Sequence, residues 1–270
     1  MTNSSTVPQE VPYQTLMSTL KQLKLKHFLD QWQPLEHQAT QEHWSYAQFL
    51  LALAQGEASR REQNRISRAL AEAQLPFAKS WTNFEFEHLP SLNPAAIMAL
   101  AQTTDWLDAA SNILLFGPSG TGKTHVCAAL GLSIVQLGKR VKFFSATALV
   151  QQLQLAKLQL ELQALLAKLD RYDLLIIDDL GYVKKSDVET SVLFELIAHR
   201  YERKSLMISA NQPFSQWDSI FPDSMMTVAA IDRLVHHATI LEFQAQSFRK
   251  QAAAQRSATS QTKTTQASSG

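Results

Sequence analysis

The sequence predicts an α/β fold: a doubly wound, five-stranded parallel sheet built around a glycine-rich loop and preceded by a small all-helical N-terminal domain. Three observations carry this expectation. From Asn112 onward, short runs of β-forming residues alternate with helical segments, the pattern of parallel strands joined by crossover helices. Directly after the first run stands Gly117-Pro118-Ser119-Gly120-Thr121-Gly122-Lys123-Thr124, which satisfies G-x-x-x-x-G-K-[ST] between a strand and a helix. Between about Tyr13 and Leu75 the apolar residues recur at helical spacing, with no strand-like alternation.

Taken in order, residues 1–12 and 251–270 are poor in large apolar side chains and rich in Ser, Thr, Gln and Ala, so both ends are expected to be disordered. Residues 13–75 form the helical domain, marked by Leu16, Leu20 and Leu23 and then by Phe49, Leu50 and Leu53. Pro76 breaks that pattern. Residues 76–110 read as a linker: an irregular aromatic stretch with Trp81, Phe84 and Phe86 leads through Pro90 and Pro94 into a short helix near Ala95–Ala101. Residues 111–250 form the α/β domain, with strands expected at Ile113–Phe116, Val141–Ser145, Leu174–Asp178, Leu206–Ser209 and Thr239–Phe243. Gln151–Lys168 mixes period-2 and helical spacing, but its length and its Leu, Gln, Ala and Lys content favour helix.

Composition narrows the function classes. The chain has 270 residues, 45% of them hydrophobic, enough for a packed core. Its single cysteine, Cys127, rules out an intramolecular disulfide or a cysteine-based metal cluster and fits a reducing compartment or no redox role at all. No signal-peptide pattern opens the sequence and no run of about 18 apolar residues occurs, so a soluble cytoplasmic protein with no membrane partner is expected. With 25 Lys and Arg against 24 Asp and Glu, the net charge is +1. Any phosphate-bearing partner must therefore be met by local basic patches and not by a global field.

The glycine-rich stretch is chemically the most specific feature. Its glycines let the backbone curl so that N–H groups face phosphate oxygens, and the following helix adds the positive end of its dipole. Lys123 is placed to reach β- and γ-phosphates, and the Thr124 hydroxyl to ligate Mg²⁺. His125 follows directly. The third strand ends in Asp178-Asp179, a Walker B arrangement: Asp178 can hold Mg²⁺ and Asp179 can polarise the attacking water. Capping of the next turn is the other reading of Asp179. Asp178-x-x-Gly181 also matches a GTPase pattern, but no N-K-x-D sequence follows, so ATP is the expected nucleotide. Asn211, ending the fourth strand, either orients the water or opens a turn. Arg233 is either a surface ion-pair partner or a finger for a neighbouring subunit's γ-phosphate. His236-His237 read as packing residues, because no further ligand set accompanies them.

The ordered set GPSGTGKTH, LLIIDDLGY, HRYERKS, ISANQPFSQW, AIDRLVHHATILE and QSFRK, behind REQNRISRAL, resembles the IstB-type helper ATPases of bacterial insertion-sequence transposition, within the wider group that includes DnaC-type helicase loaders. The resemblance runs from about Leu23 to Lys250. It implies an AAA+ ATPase fold, a sensor-1 role for Asn211 and a trans-acting finger at Arg233. Only about 25 residues follow Phe243, so no C-terminal lid is expected, as in the loader group. Similar proteins assemble on duplex DNA as ATP-bridged homo-oligomers and direct an IstA-type transposase.

Charge then points to where DNA is held. Arg60, Arg61, Arg65 and Arg68 share one broad face of an expected helix, Lys21, Lys24 and Lys26 form a second cluster, and Lys184 and Lys185 a third. A modest patch repeated over many subunits gives strong, salt-sensitive binding; a merely solvated helix face is the alternative. Two other readings share the phosphate loop. One is a replicative helicase loader, and the other is a small-molecule kinase, against which the missing lid speaks.

Overall fold

The computed structural model describes residues 13–76, 78–181, 186–213, 216–217 and 224–244. Its chain divides into two compact units that meet in sequence at Arg68 and Ala69.

The first unit is helical. Helix α1 (Tyr13–Gln22) ends at Lys24, whose φ of +56° reverses the chain into α2 (Lys26–Gln41), and α3 runs over Tyr46–Ala73, leaving this unit at Arg68. Leu20, Trp32 and Leu53 are its buried apolar side chains. Helix α2 begins against α3 at Gly56, where a Cβ would lie 1.9 Å from the His27 ring. Next to it, the buried Glu57 carboxylate accepts the His27 backbone N–H at 2.7 Å, satisfying one of the donors a helix start leaves open.

The second unit begins within α3 and continues through two short 3₁₀ turns (Trp81–Asn83 and Phe86–His88), α4 (Pro94–Gln102) and α5 (Asp105–Asp108). Asn93 caps α4 through the backbone N–H groups of Ala95 and Ala96, with Pro94 at the first helical position, where its missing N–H costs nothing. Strands and helices then alternate: β1 (Asn112–Phe116), α6 (Lys123–Gln136), β2 (Val141–Ser145), α7 (Ala146–Leu158), α8 (Leu162–Leu169), β3 (Leu174–Leu180), α9 (Asp187–Arg200), β4 (Ser205–Ala210), α10 (Ser224–Val235) and β5 (Ala238–Glu242). All five strands are parallel in the order β2-β3-β4-β1-β5. The expected five-stranded sheet is therefore present, with strand ends shifted by one or two residues.

Alternation along the central strands sends side chains into two cores, one on each face. Leu114, Phe116, Leu175, Ile177, Leu206 and Ile208 pack with residues of α7 to α10, whereas Ile113, Leu115, Leu174, Ile176 and Met207 pack with α4 and α6. Each such side chain contributes roughly 1.5–3 kcal/mol on full burial. Two polar residues tie the amino ends of the strands. Asn112 donates to Leu234 O and accepts from the Leu206 N–H, joining β1, β4 and the end of α10. Arg200, fully buried, donates to the carbonyls of Leu169, Tyr172 and Ser205 at 3.0–3.2 Å.

Residues 151–168 are helical as expected, but they are split between α7 and α8. Leu160 takes a φ of +61°, and the Glu161 N–H closes on Ala156 O at 2.7 Å. Packing imposes the break: Leu153 and Ala156 before it and Leu162 and Leu166 after it are all buried, while Leu158 and Leu160 at the turn are exposed.

Candidate functional site

The loop between β1 and α6 closes around a positive-φ backbone that side chains other than glycine rarely adopt. Gly117 has a φ of +145°, and a Cβ there would lie 2.4 Å from Phe243 O at the end of β5. Gly122, with a φ of +100°, caps α6 and accepts the N–H groups of His125 and Val126. The loop thus opens onto the carboxyl ends of the central strands, where open α/β sheets bind ligands.

Lys123 is the pivot. Its ammonium donates to Gly117 O at 2.6 Å, Pro118 O at 2.9 Å and Asn211 Oδ1 at 2.8 Å. Asn211 in turn donates to Asp179 Oδ1 at 3.2 Å. On the buried side, the Thr124 hydroxyl donates to Asp178 Oδ1 at 3.2 Å. Lys123, Thr124, Asp178, Asp179 and Asn211, singled out separately in the sequence, therefore form two neighbouring hydrogen-bonded sets, Lys123–Asn211–Asp179 and Thr124–Asp178.

Adjacent strand residues normally face opposite sides of a sheet, so the convergence of Asp178 and Asp179 needs a cause. It lies in the β3–β4 ladder. Ile177 pairs with Ile208 and Leu180 with Ala210, with a register shift between them, so two aspartates stand opposite the single residue Ser209. This is a bulge, and Asp179 occupies it with a φ of +66°. Asp178 stays buried while Asp179 is exposed toward the loop.

A cavity of about 460 Å³ opens here, lined by Ser119, Gly120, Gly122, Lys123, Thr124, His125, Asp179 and Asn211 and, on its other wall, by Lys79, Asn83, Phe84 and Glu85. That second wall comes from the aromatic stretch, which sequence reasoning treated only as a linker. Trp81 and Phe86 stack at 5.9 Å, Phe84 meets Phe86 edge-on at 4.8 Å, and Phe84 also meets the His125 ring at 5.1 Å. His125 Nε2 is bonded to Ser80 O at 2.8 Å, and Trp81 Nε1 donates to Ser133 Oγ at 2.9 Å. The run of aromatics just before an α/β unit was the available signal. Ser209 was missed as well; a serine inside an apolar strand carries no pattern of its own.

Behind the loop, burial and then the nearby Asp178 carboxylate push the Cys127 thiol well up.

Arg233 lies elsewhere. It donates to Ala229 O at 2.9 Å, sits over the Phe194 ring at 5.2 Å, and lines a cleft with Asn112 and Leu206 at the amino ends of β1 and β4. Five strand residues, at about 3.3 Å each, put that end roughly 16 Å from the loop. Beside it, His236, His237 and Glu202 bring ligand atoms within 4.8 Å of one another. Tyr201 Oη is bonded to His236 Nδ1 at 2.9 Å and all three side chains are exposed; Glu202 supplies beside the histidine pair the third possible ligand that the sequence did not show.

In the first unit, two of the basic clusters converge. Lys21, Lys24 and Lys26 line an open groove of about 650 Å³ together with Arg60, Arg61 and Asn64. Arg61 is ion-paired with the buried Glu57 at 2.8 Å. Arg65 pairs with Glu62 at 2.6 Å and, like Arg68, does not line the groove. Lys184 and Lys185 lie outside the described residues, as do Arg249 and Lys250 of the QSFRK sequence.

Comparison with known proteins bears on the family and the fold. Residues 18–256 match the family model described as IstB-like ATP binding protein. The chain is 50% identical over 234 residues to an insertion-sequence ATP-binding protein of Sinorhizobium fredii, covering 87% of this chain and 78% of that one. It is 33% identical to the ATP-binding protein of the IS21 insertion sequence of Pseudomonas aeruginosa, covering 85% and 86%. Among solved structures, the DnaC helicase loader superimposes with a TM-score of 0.54 at 17% identity over 62% of this chain and 98% of that one. AMPPCP-bound DnaA from Aquifex aeolicus gives 0.52 at 18% identity over 63% and 51%. At these identities the two structures establish the fold, an AAA+ one.

Proposed function

The chain belongs to the IstB-like family of insertion-sequence ATP-binding proteins, and from that premise we propose that it hydrolyses ATP to control its own assembly on duplex DNA, where it directs an IstA-type transposase. The observation that carries this reading is the connected group Lys123–Asn211–Asp179 beside Thr124–Asp178. Asn211 joins the phosphate-loop cation to the Asp179 carboxylate, and the loop's Thr124 hydroxyl bonds the Asp178 carboxylate.

Thr124 and Asp178 offer a hydroxyl and a carboxylate 3.2 Å apart, hard oxygen donors that suit Mg²⁺. When bound, the ion neutralises charge on the β- and γ-phosphate oxygens. Phosphates entering the loop compete for the Lys123 ammonium, which gives up Asn211 Oδ1 to reach them. Asn211, so released, turns its amide toward the γ-phosphate. Asp179, aimed into the cavity by the bulge, accepts the proton of the water that attacks the γ-phosphorus as ADP departs. The aromatic wall around Phe84 stacks on the base.

Arg233 is at the far end of its own sheet, so its contact with a γ-phosphate is made in a neighbouring subunit. ATP bound between subunits then favours the assembly by mass action, and hydrolysis releases it. The groove of Lys21, Lys24, Lys26 and Arg60 supplies phosphate contacts whose effect multiplies with each subunit added.

ATPase rate and particle size, measured with and without duplex DNA, test this reading. The wild type is expected to hydrolyse ATP faster and form larger particles when both ligands are present. Lys123→Ala is expected to lose both responses. A wild type that neither hydrolyses ATP nor changes size with nucleotide refutes the proposal.

A further inference from the structure

We infer that Ser209 is a positioning residue whose single hydroxyl sets the geometry of both strand-end aspartates; this rests on the ATPase reading above. Ser209 is 1% exposed and stands opposite Asp178 and Asp179 in the bulge. Its Oγ accepts the Asp179 backbone N–H at 2.9 Å and donates to Asp178 Oδ1 at 2.5 Å. One side chain thereby engages the backbone of one aspartate and the carboxylate of the other.

Each bond has a separate consequence. A bulge leaves one residue outside the regular ladder, and an unpaired buried N–H is costly. Ser209 supplies the acceptor that the Asp179 N–H would otherwise lack. The bond also holds Asp179 at a φ of +66°, a left-handed conformation that non-glycine residues adopt only where their surroundings impose it. That conformation turns the Asp179 carboxylate toward Asn211. The second bond is short, as expected of a hydroxyl on a carboxylate. It fixes the rotation of Asp178, so that the same Oδ1 also receives the Thr124 hydroxyl. The carboxylate assigned to the ion and the one assigned to the water are thus locked to one another through one hydroxyl.

A hydroxyl is required, and not merely a small side chain. Alanine would leave the Asp179 N–H and one lone pair of Asp178 without a protein partner, while the apolar neighbours Leu115 and Ile208 could donate nothing. Threonine restores the hydroxyl on a strand that tolerates β-branching, and valine matches its shape without it.

The experiment compares wild type with Ser209→Ala, Ser209→Thr and Ser209→Val for kcat, for the magnesium concentration that half-saturates binding of a fluorescent ATP analogue, and for metal-free ADP affinity. Thermal unfolding checks that each variant is folded. Loss of a group that orients metal ligands typically costs about 10–100-fold. Ser209→Ala and Ser209→Val are expected to lower kcat by that factor and to raise the magnesium requirement about tenfold, with metal-free ADP affinity within about twofold of wild type. Ser209→Thr is expected to recover most of both. Wild-type kcat and magnesium dependence in Ser209→Ala overturn the inference, as does a Ser209→Thr protein that is folded yet as impaired as Ser209→Val. If the wild type itself has no ATPase activity, the parent reading fails, and this one with it.

Discussion

At the scale of single residues, the site is a set of polar atoms that share partners, and the consequences of each change depend on what is left behind. Lys123 is held by two loop carbonyls and Asn211, so an entering phosphate replaces existing bonds instead of filling an empty ammonium shell. Asp179 differs: its carboxylate is exposed and its backbone is fixed by the bulge. Asp179→Asn keeps the shape and the possibility of a bond to Asn211 but cannot take a proton at neutral pH. ATP hydrolysis is expected to fall by about 10²–10⁴-fold, the usual contribution of a general base, with nucleotide affinity unchanged and ATP-dependent particles persisting. Single-turnover hydrolysis beside equilibrium binding checks this, and undiminished turnover would remove Asp179 from the proton-accepting role. Sequence alone marked Lys123, Thr124, Asp178 and Asp179, because their chemistry demands particular side chains at fixed spacing. Ser209 was illegible for the opposite reason: its role comes from standing across a bulge from two aspartates that are about thirty positions away in the chain.

At the scale of elements, the helical unit shows how a turn converts two basic clusters, separate in the sequence, into one surface. Lys24 ends α1 in a left-handed conformation, and Gly56 lets α2 approach α3 closely enough for His27 to bond Glu57. The lysines of the α1–α2 turn and, from α3, Arg60 and Arg61 then line the same groove. Helical spacing foretold the arginine face but not that Arg65 would be taken up by Glu62. It also could not foretell that Arg61 would neutralise a buried carboxylate. That distinction decides which variants are informative. Removing Arg61 strands Glu57, a structural penalty, whereas Lys21, Lys24 and Lys26 are exposed. Replacing these three with Ala is expected to weaken duplex binding and to lower the slope of log affinity against log salt by about 2–3, near 0.9 per lost phosphate contact. ATP affinity should be unchanged. An unaltered salt slope would take the groove out of the DNA-binding surface.

At the scale of the whole molecule, depressed carboxylate pKa values in both units couple stability to acid. Burial alone would raise Glu57, but its bonds with Arg61 and the His27 N–H hold it below the ordinary value. The Tyr172 hydroxyl bond lowers Glu72 by more than burial raises it, and Arg140 lowers it further. In Asp173 burial again opposes, and Lys204 with the Arg140 N–H prevails. A carboxylate whose folded pKa lies below its unfolded one adds stability that is complete above the unfolded value and lost as pH falls through the folded one. Thermal unfolding is therefore expected to change little from about pH 7 to 5 and to drop below about pH 4, where unperturbed carboxylates begin to protonate. Glu57→Gln should flatten that acid limb. A profile that declines equally above pH 5 would assign acid sensitivity to other groups. Among the described residues no helix is long and apolar enough to cross a membrane.

The sequence by itself determined the sheet, the phosphate loop and which side chains are candidates for the chemistry. Those follow from local rules: continuous apolar runs make buried parallel strands, and glycines at fixed spacing make the loop. Tertiary structure alone decided the rest. It split the helical stretch after β2 at Leu160, turned an aromatic linker into a wall of the cavity, and put Arg233 at the end of the sheet remote from its own loop. It also gathered two aspartates around one serine by slipping a single register step. These outcomes depend on which elements meet, and a contact between distant residues leaves no periodic trace in the chain that makes it. The near-zero net charge is distributed in the same way: in the first unit, Asp30, Glu36, Glu42 and Glu57 separate the lysines from the arginines along the sequence, and folding gathers the lysines with Arg60 on one groove while setting Glu57 beneath it.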